Sequence, residues 1–281
     1  MGSLGVHRGQ TYIRVLSFIC RDIADFLPKD VKYLIYADDL KVWCPIMDRT
    51  SCAVLQNAID GVDKLNDMSL SPHKTVVLQS GRVRSDYFLN GVPLPISEET
   101  RDLGVAINTA LDFKHHISNV AKSAFLLINC IFRSIITKRP ELYLGLYNSL
   151  VMPKFLYCSP LWNPSQRQHI DLLGRVQNRF LRRLRYRCNL QRNDVTLPDL
   201  KTLLDKNDDS MLRTLFRASL LEDMFTITGN RLRSKFSIRP KTVARSKRIQ
   251  NLFPWRMADK LRAEGFPLYL QLLSSLPPSS Q

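Results

Sequence analysis

The sequence predicts an α+β fold, in which a strand-containing first third is followed by a mostly helical remainder. Residues 31–43 contain two β-prone runs around Ala37-Asp38-Asp39, and adjacent carboxylates between such runs suit the turn of a hairpin. Residues 113–137 carry apolar side chains at a 3.6-residue spacing, which indicates one long amphipathic helix. Together these two patterns predict the fold class.

The remaining elements follow from the same analysis of periodicity. Pro140 ends one helix or begins the next, because its ring cannot continue a helix from the preceding turn. The helix expected at residues 170–184 has one apolar face, formed by Leu173, Val176, Phe180 and Leu184. The expected elements are a turn and a short helix-like stretch ahead of the hairpin within residues 1–50, a helix at 50–70, short strands at 76–78 and 87–89, and helices at 142–150 and 170–184.

The chain is strongly basic, with 41 Lys and Arg residues against 25 Asp and Glu, a net charge of +16 and a pI near 9.8. Such a field concentrates polyanions, so composition favours nucleic acid or an anionic membrane without choosing between them. Six cysteines occur without a CxxC spacing, which predicts reduced thiols rather than a zinc site. The most apolar stretch, residues 124–132, is far shorter than the ~20 residues that cross a bilayer. We therefore expect an intracellular protein without a membrane span.

The string Tyr36-Ala37-Asp38-Asp39 lies between the two β-prone runs and carries the clearest chemical signal. Two carboxylates side by side next to buried strands are costly unless a positive charge neutralises them. A divalent cation does so, and phosphoryl transfer uses one or two such cations. Most isolated Asp-Asp pairs in hairpins are simple turns. With its apolar flanks, however, this pair resembles the metal-binding hairpin of reverse transcriptases, in the YADD form common in non-LTR elements.

Further segments resemble the same family and occur in its order. Residues 5–10 (GVHRGQ) are similar to its GVPQGS segment, and residues 70–75 (LSPHKT) to its L-x-N-P-x-K-T string. Residues 101–105 (RDLGV), with residues 111–117, are similar to the segment that leads into the thumb. The ordered series spans most of residues 5–185 and resembles the C-terminal part of a LINE-type, jockey-like non-LTR retrotransposon reverse transcriptase. Helical motifs of jockey-like elements match at residues 147–153, 156–157, 162–164 and 176–180.

The resemblance implies a division of the chain and a reaction. A partial palm is expected at residues 1–95, a helical thumb-like region at 96–190 and a basic C-terminal region at 191–281. The implied function is RNA-directed DNA polymerisation, with an RNA template and a DNA primer or target as partners and no obligate protein partner. The implied cofactor is Mg²⁺ or Mn²⁺. The implied setting is a ribonucleoprotein in the nucleus or cytoplasm, with no part for a membrane.

The matched motifs also imply roles for individual residues. Asp38 and Asp39 would hold the metal, and Lys74 would protonate the pyrophosphate leaving group as a general acid. The alternative for Lys74 is a plain surface lysine after a proline turn. Contact with template or nucleotide is expected for Gly5, Arg8, Gly9 and Tyr36.

Departures from the family pattern predict that this chain does not catalyse the reaction itself. His7, Arg8 and Ser71 replace the usual Pro, Gln and Asn. The family has another metal-binding aspartate on a strand before the GVPQGS-like segment, which begins here at the fifth residue. The two-metal clamp would therefore be incomplete. Asp22 and Asp25 fall at connecting positions and are not expected to replace it. A clipped gene model and a decayed genomic copy both fit this pattern.

An arginine-rich helix offers a second function that requires no chemistry. Five arginines crowd the polar side of the helix expected at residues 170–184 and its C-terminal extension, with little acidic compensation. They either contact phosphates or form a solvated helix face. The alternative function is a catalytically inactive nucleic-acid-binding remnant, and a basic adaptor for an acidic protein or membrane is a third. The five arginines are Arg175, Arg179, Arg182, Arg183 and Arg187.

Overall fold

The computed structural model divides the chain into two compact units, residues 1–112 and residues 113–281. The first unit contains most of the strands and the second most of the helices, so the architecture is α+β, as predicted. The three-part division at residues 95 and 190 remains a prediction. The structure describes residues 10–16, 23, 27–37, 39–65, 70–81, 83–218, 220, 224–229, 236–241 and 250–264.

The first unit is built around a five-stranded sheet. The first seven strands described in the unit are β1 (Gln10–Leu16), β2 (Lys32–Tyr36), β3 (Asp39–Pro45), β4 (Val76–Gln79), β5 (Phe88–Leu89), β6 (Val92–Pro93) and β7 (Ile96–Ser97). All but β5 and β6 form one sheet in the order β2-β3-β1-β4-β7, which is antiparallel except between β4 and β7. The predicted hairpin is confirmed, because β2 and β3 pair along the whole of β2. Strands were also expected where β4 and β5 lie.

The strand β1 corrects the expectation of a turn and a helix-like stretch ahead of the hairpin. Residues 10–16 pair with β3 on one side and β4 on the other, so this strand occupies the middle of the sheet. Strand preference is set largely by the neighbours against which a segment packs. Both neighbours of β1 lie more than twenty residues away in the sequence, so its local pattern did not reveal it.

The helix α1 (Arg49–Leu65) covers one face of the sheet and matches the helix expected at residues 50–70. Asp48 caps its N-terminus, accepting hydrogen bonds from Thr50 Oγ1 at 2.6 Å and Ser51 N at 2.8 Å. The bond from Thr50, followed by those from Ser51, lowers the pKa of Asp48 to about 2. The hydrophobic core beneath the helix includes Leu40, Val42, Cys44, Leu55, Ala58, Ile59, Val62 and Val77.

A further hairpin, β8 (Glu99–Asp102) and β9 (Val105–Asn108), is tied to the sheet by a buried ion pair. Lys41 Nζ lies 2.6 Å from Asp102 Oδ1 and donates a hydrogen bond to Oδ2 at 2.8 Å. The two side chains are 9% and 12% exposed. Since side chains alternate along a strand, Lys41 projects from the same face of β3 as Asp39. The ion pair therefore anchors this hairpin to the face of β3 that carries Asp39.

The second unit consists mainly of helices, as predicted. Long helices occur where the sequence expected them at residues 113–137 and 170–184, and the helix after Pro140 begins at that proline. The elements are α2 (Lys114–Ser134), α3 (Pro140–Leu146), a π-helical turn (Tyr147–Val151), α4 (Met152–Leu156), α5 (Ser159–Trp162), α6 (Arg167–Cys188), α7 (Leu200–Arg217) and α8 (Phe253–Glu264).

The two long helices α2 and α6 pack through their apolar stripes. The ring of Phe180 lies between Phe132 of α2, at 5.7 Å between centroids, and Tyr147 of the π-helical turn, at 4.3 Å. Aromatic contacts of this kind add to the stability gained from area burial. The packing fixes the rotation of α6 about its own axis. The predicted apolar face is confirmed, with at most 1% exposure at Leu173, Val176, Phe180 and Leu184.

A buried polar network around Asp208 joins α5, α7 and α8. Asp208 Oδ2 accepts hydrogen bonds from Asn163 Nδ2 and Arg256 Nη2, both at 2.9 Å. Arg256 Nη2 also donates to Pro160 O at 2.8 Å. Burial raises the pKa of Asp208, and the Arg256 guanidinium opposes that shift. Asn163 follows α5 directly, so the Trp-Asn-Pro segment matched in the sequence serves here to join helices.

The C-terminal region was expected to be helical or irregular, but it also contains strands. β10 (Phe225–Gly229) and β11 (Phe236–Pro240) form an antiparallel hairpin. Much of the basic segment 231–248 lies outside the described residues. In the part of the chain that the structure describes, no helix is long and apolar enough to cross a membrane.

We predict that Lys41→Met alone destabilises the protein by about 3–5 kcal/mol, because it leaves the Asp102 carboxylate buried without its partner. The double variant Lys41→Met with Asp102→Leu should lose less than either single variant, since no buried charge remains. Urea unfolding followed by circular dichroism measures all three. Additive losses in the double variant would contradict a direct coupling between the two side chains.

Candidate functional site

The tip of the β2–β3 hairpin is a two-residue turn. Tyr36 pairs with Asp39 in the last register position, and Ala37 adopts a positive φ of 50°. Two-residue hairpin turns need such left-handed backbone at the turn, which Asn, Asp and Gly accept more readily than Ala. Asp38, the second turn residue, lies outside the described residues. Of the two predicted metal ligands, the structure therefore describes Asp39.

Asp39 is 8% exposed at the first position of β3. Its register partners are Tyr36 on β2 and Leu16 on β1. The sequence of β1, QTYIRVL, contains no carboxylate. Among the described residues, no group of three or more His, Cys, Asp or Glu side chains has the arrangement to hold a metal ion. Asp39 is the one carboxylate that the structure describes at this hairpin, so the described residues do not by themselves supply the ligands of a two-metal clamp.

Lys74 lies at the same end of the sheet as Asp39, on the other side of β1. Lys41 of β3 and Val76 of β4 both pair with Arg14, from opposite sides of β1. Asp39 precedes Lys41 by two residues, Lys74 precedes Val76 by two, and β3 and β4 run in the same direction. Neighbouring strands are ~4.8 Å apart, so the two chain segments are separated by about 10 Å at this end.

The turn that carries Lys74 is fixed by its own hydrogen bonds. Lys74 N donates to Ser71 O at 3.1 Å, and the buried Thr75 donates from its hydroxyl to the same oxygen at 2.9 Å. Lys74 itself is exposed. This geometry agrees with both a surface lysine in a proline turn and a lysine that approaches a ligand beside the hairpin.

The residues expected to contact template or nucleotide are mostly not described. Gly5, Arg8 and Gly9 lie outside the described residues. Tyr36 is 57% exposed at the end of β2, next to the hairpin turn. The structure brings Tyr36, Asp39 and Lys74 to one end of the sheet. This sheet belongs to the first unit, whereas the five predicted arginines belong to the second.

The five arginines of α6 divide into three that are exposed and two that are half-buried. Of the exposed three, Arg179 also contacts α2, because its guanidinium lies 5.4 Å from the centroid of the Phe125 ring. At 100° per residue, Arg175, Arg179, Arg182 and Tyr186 project within an arc of about 60°, and all four are exposed. We call these four residues the outer stripe. Arg183 and Arg187 are turned towards α2 and are half-buried. The two sets follow from the burial of the opposite, apolar face of α6.

The arginines turned towards α2 make structural contacts with it. Arg183 Nη1 donates to Asn129 Oδ1 at 2.6 Å, and its guanidinium lies 4.7 Å from the centroid of the Phe132 ring. Arg187 Nη2 donates to Phe132 O at 3.1 Å, and its Nη1 to Ile135 O at 3.4 Å. The two bonds from Arg187 satisfy backbone carbonyls at the C-terminal end of α2, where a positive charge is favourable.

The positive charge on these two helices has little local compensation. Desolvation, followed by repulsion from Arg179, Arg187 and Arg133, lowers the pKa of Arg183. The sequences of α2 and α6 hold ten Lys and Arg residues and a single acidic residue, Asp171. The carboxylate of Asp171 lies 3.8 Å from Arg167, one turn from the N-terminus of α6. Among the described residues of α6, the exposed Arg175, Arg179 and Arg182 therefore present positive charge to solvent.

Sequence reasoning did not single out Tyr186 or the Lys41–Asp102 pair. Tyr186 is 91% exposed, the highest exposure among the large hydrophobic side chains that the structure describes. Tyr186 follows Arg179 by seven residues and Arg175 by eleven. A helical-wheel projection of α6 would therefore have placed it on the same face as these arginines. No local signal marked Lys41 and Asp102, because 61 residues separate them.

Comparison with known proteins leaves the family open. The chain matches no family model. It is 33% identical over 95 residues to an uncharacterized protein of Caenorhabditis elegans, a match that covers 34% of this chain and 48% of that protein. The match thus spans about half the length of this curated relative. The resemblance to reverse transcriptases stays a prediction.

We predict that Arg183→Ala lowers the free energy of unfolding by about 1–2 kcal/mol, because it removes a charged hydrogen bond and a cation–π contact. The neighbouring substitution Arg182→Ala should change it by less than about 0.5 kcal/mol, since Arg182 is exposed on the outer stripe. Chemical denaturation of the two variants provides the comparison. Equal losses would contradict the assignment of the two arginines to different surroundings.

Proposed function

We propose that this chain is a fragment of a non-LTR retrotransposon reverse transcriptase, with a partial palm in its first unit and a thumb-like region in its second. The observation that carries the proposal is the β2–β3 hairpin, whose strands pair as far as Tyr36 and Asp39, with Asp39 buried directly after the turn. Lys74, from the separate LSPHKT segment, comes to the same end of the sheet. Two motifs from different parts of the sequence thus lie at one end of the sheet, with their chain segments about 10 Å apart, and this arrangement supports the proposal.

In the full-length family, this end of the sheet would transfer a nucleotide to a primer 3′-hydroxyl with release of pyrophosphate. Mg²⁺ on Asp38 and Asp39 is the proposed cofactor, and Lys74 the proposed acid. In this chain, β1, the strand beside Asp39, contributes no carboxylate to such a site. We infer that the isolated chain does not polymerise.

The activity proposed for the chain itself is nucleic-acid binding through α6. The observation that favours it is the outer stripe, which contains three exposed arginines. The sequence of α6 has one acidic residue, Asp171, and it lies near the N-terminus of the helix. Arginine contacts to phosphate require neither a metal nor a complete palm. Arg183 and Arg187 support the surface by holding α6 against α2, and they add to its positive field.

The first test is primer extension on an RNA template with Mg²⁺, comparing the chain with its Asp38→Ala variant. We expect no extension from either protein, because the described residues do not supply a complete set of metal ligands. A known active reverse transcriptase on the same template serves as the positive control, and a cooperative unfolding transition shows that both proteins are folded. Extension that Asp38→Ala abolishes would contradict our inference of an inactive chain.

The second test measures RNA binding against salt concentration for a variant with Arg175, Arg179 and Arg182 all changed to Gln. Each phosphate contact to a single strand contributes roughly 0.7 to the slope of log K against log salt. We therefore expect the slope to fall by about 2. The matched control changes the exposed Lys154, Lys206 and Arg213 to Gln, which removes the same charge from α4 and α7.

The control variant should retain the slope of the unmodified chain. If the two triple variants lose affinity equally, binding depends on net charge alone and the proposed surface on α6 is wrong. Absence of binding by the unmodified chain at low salt would remove the proposed activity altogether.

A further inference from the structure

We propose that the outer stripe binds single-stranded nucleic acid, with an unpaired base stacked on Tyr186 and phosphates on Arg175, Arg179 and Arg182. The inference rests on the nucleic-acid-binding function proposed above and specifies its ligand. It assigns a recognition role to Tyr186, which none of the matched motifs includes.

The placement of Tyr186 is the first argument. It lies four residues after Arg182, seven after Arg179 and eleven after Arg175, on the same line along α6. At 1.5 Å per residue the stripe extends about 16 Å from Arg175 to Tyr186. A backbone that follows the three arginines therefore brings a base to the tyrosine ring.

The exposure of Tyr186 is the second argument. A tyrosine usually buries most of its ring, yet this side chain is 91% exposed, and no aliphatic side chain of the outer stripe shields it. The apolar face of α6 is already filled on the other side of the helix, so core packing does not account for the ring. Arginines beside exposed aromatic rings are the combination with which proteins bind single strands.

A duplex fits this surface less well. In a duplex the bases are stacked on one another and paired, so that Tyr186 would find no free base face. The three arginines would still contact duplex phosphates, since those contacts carry no preference for single strands. The ring is thus the feature expected to discriminate between single strands and duplexes.

An anionic membrane is also a poor fit. A helix that lies in a membrane surface buries an apolar face beneath its basic one. The apolar residues of α6 are instead packed within the second unit, and Tyr186 is the one large apolar side chain on the outer stripe. Because the outer stripe holds no aliphatic side chain beside Tyr186, insertion of the ring into lipid is also disfavoured.

The test is fluorescence anisotropy with the full chain and oligonucleotides of one sequence as single-stranded RNA, single-stranded DNA and duplex DNA. Tyr186→Ala should weaken binding to a single strand roughly 5- to 150-fold, the range for loss of one stacked base. It should change binding to the duplex less than about twofold. Tyr186→Phe should retain single-strand affinity, whereas Tyr186→Leu, of similar apolar area but without a π face, should lose it.

The RNA and DNA arms identify the natural ligand, because the strand whose binding depends more strongly on Tyr186 is the one that the stripe recognises. Leu126→Ala removes another exposed apolar side chain, on α2, and should leave both affinities unchanged. Quenching of a 2-aminopurine base in the oligonucleotide on binding, absent in Tyr186→Ala, would report the stacking directly.

The outcomes separate this inference from the function on which it rests. If the triple arginine variant loses affinity while Tyr186→Ala binds single strands normally, the stacking role is wrong and nucleic-acid binding stands. If neither change matters, both proposals fail. Binding to phosphatidylserine vesicles that depends on Tyr186 and is not displaced by oligonucleotide would overturn the assignment of the partner.

Discussion

Burial of one face of α6 is the constraint on which the second unit depends. Phe180 lies between the rings of Phe132 and Tyr147, and the other residues of the apolar face are equally buried. Because burial of that face fixes the rotation of α6 about its axis, it also fixes the direction in which every other side chain of the helix projects. Arg183 and Arg187 reach the end of α2, and the residues of the outer stripe meet solvent. Apolar packing, rather than any attraction between charges, therefore creates the basic surface.

In the first unit the corresponding constraint is the register of the central strands. Pairing of β1 with both β3 and β4 aligns Asp39 with the segment that carries Lys74. The same register brings Leu16, and no carboxylate, opposite Asp39. The Lys41–Asp102 pair then attaches a second hairpin to that face of β3. The described residues of this unit thus include the β2–β3 hairpin, but among them no group of three or more His, Cys, Asp or Glu side chains could hold a metal ion.

Periodicity predicted the elements whose stability is local, and missed those that depend on distant partners. The helices at α1, α2 and α6 and the apolar face of α6 were predicted because each carries a 3.6-residue pattern of its own. The strands β1, β10 and β11 were not, since neighbouring strands rather than local composition define them. At the site, the hairpin was predictable from its flanks. The division of the arginines into two sets, and the exposure of Tyr186, required the rotation of α6 within the unit.

We propose that this chain keeps a nucleic-acid-binding surface on α6 and does not carry out a reaction at the β2–β3 hairpin. Ultraviolet cross-linking of a bound RNA, followed by mass spectrometry of the nucleotide-modified peptides, tests that claim most directly. We predict adducts on α6, with Tyr186 among the modified positions, and loss of those adducts in the triple arginine variant. Adducts confined to residues 1–112, with none on α6, would contradict it.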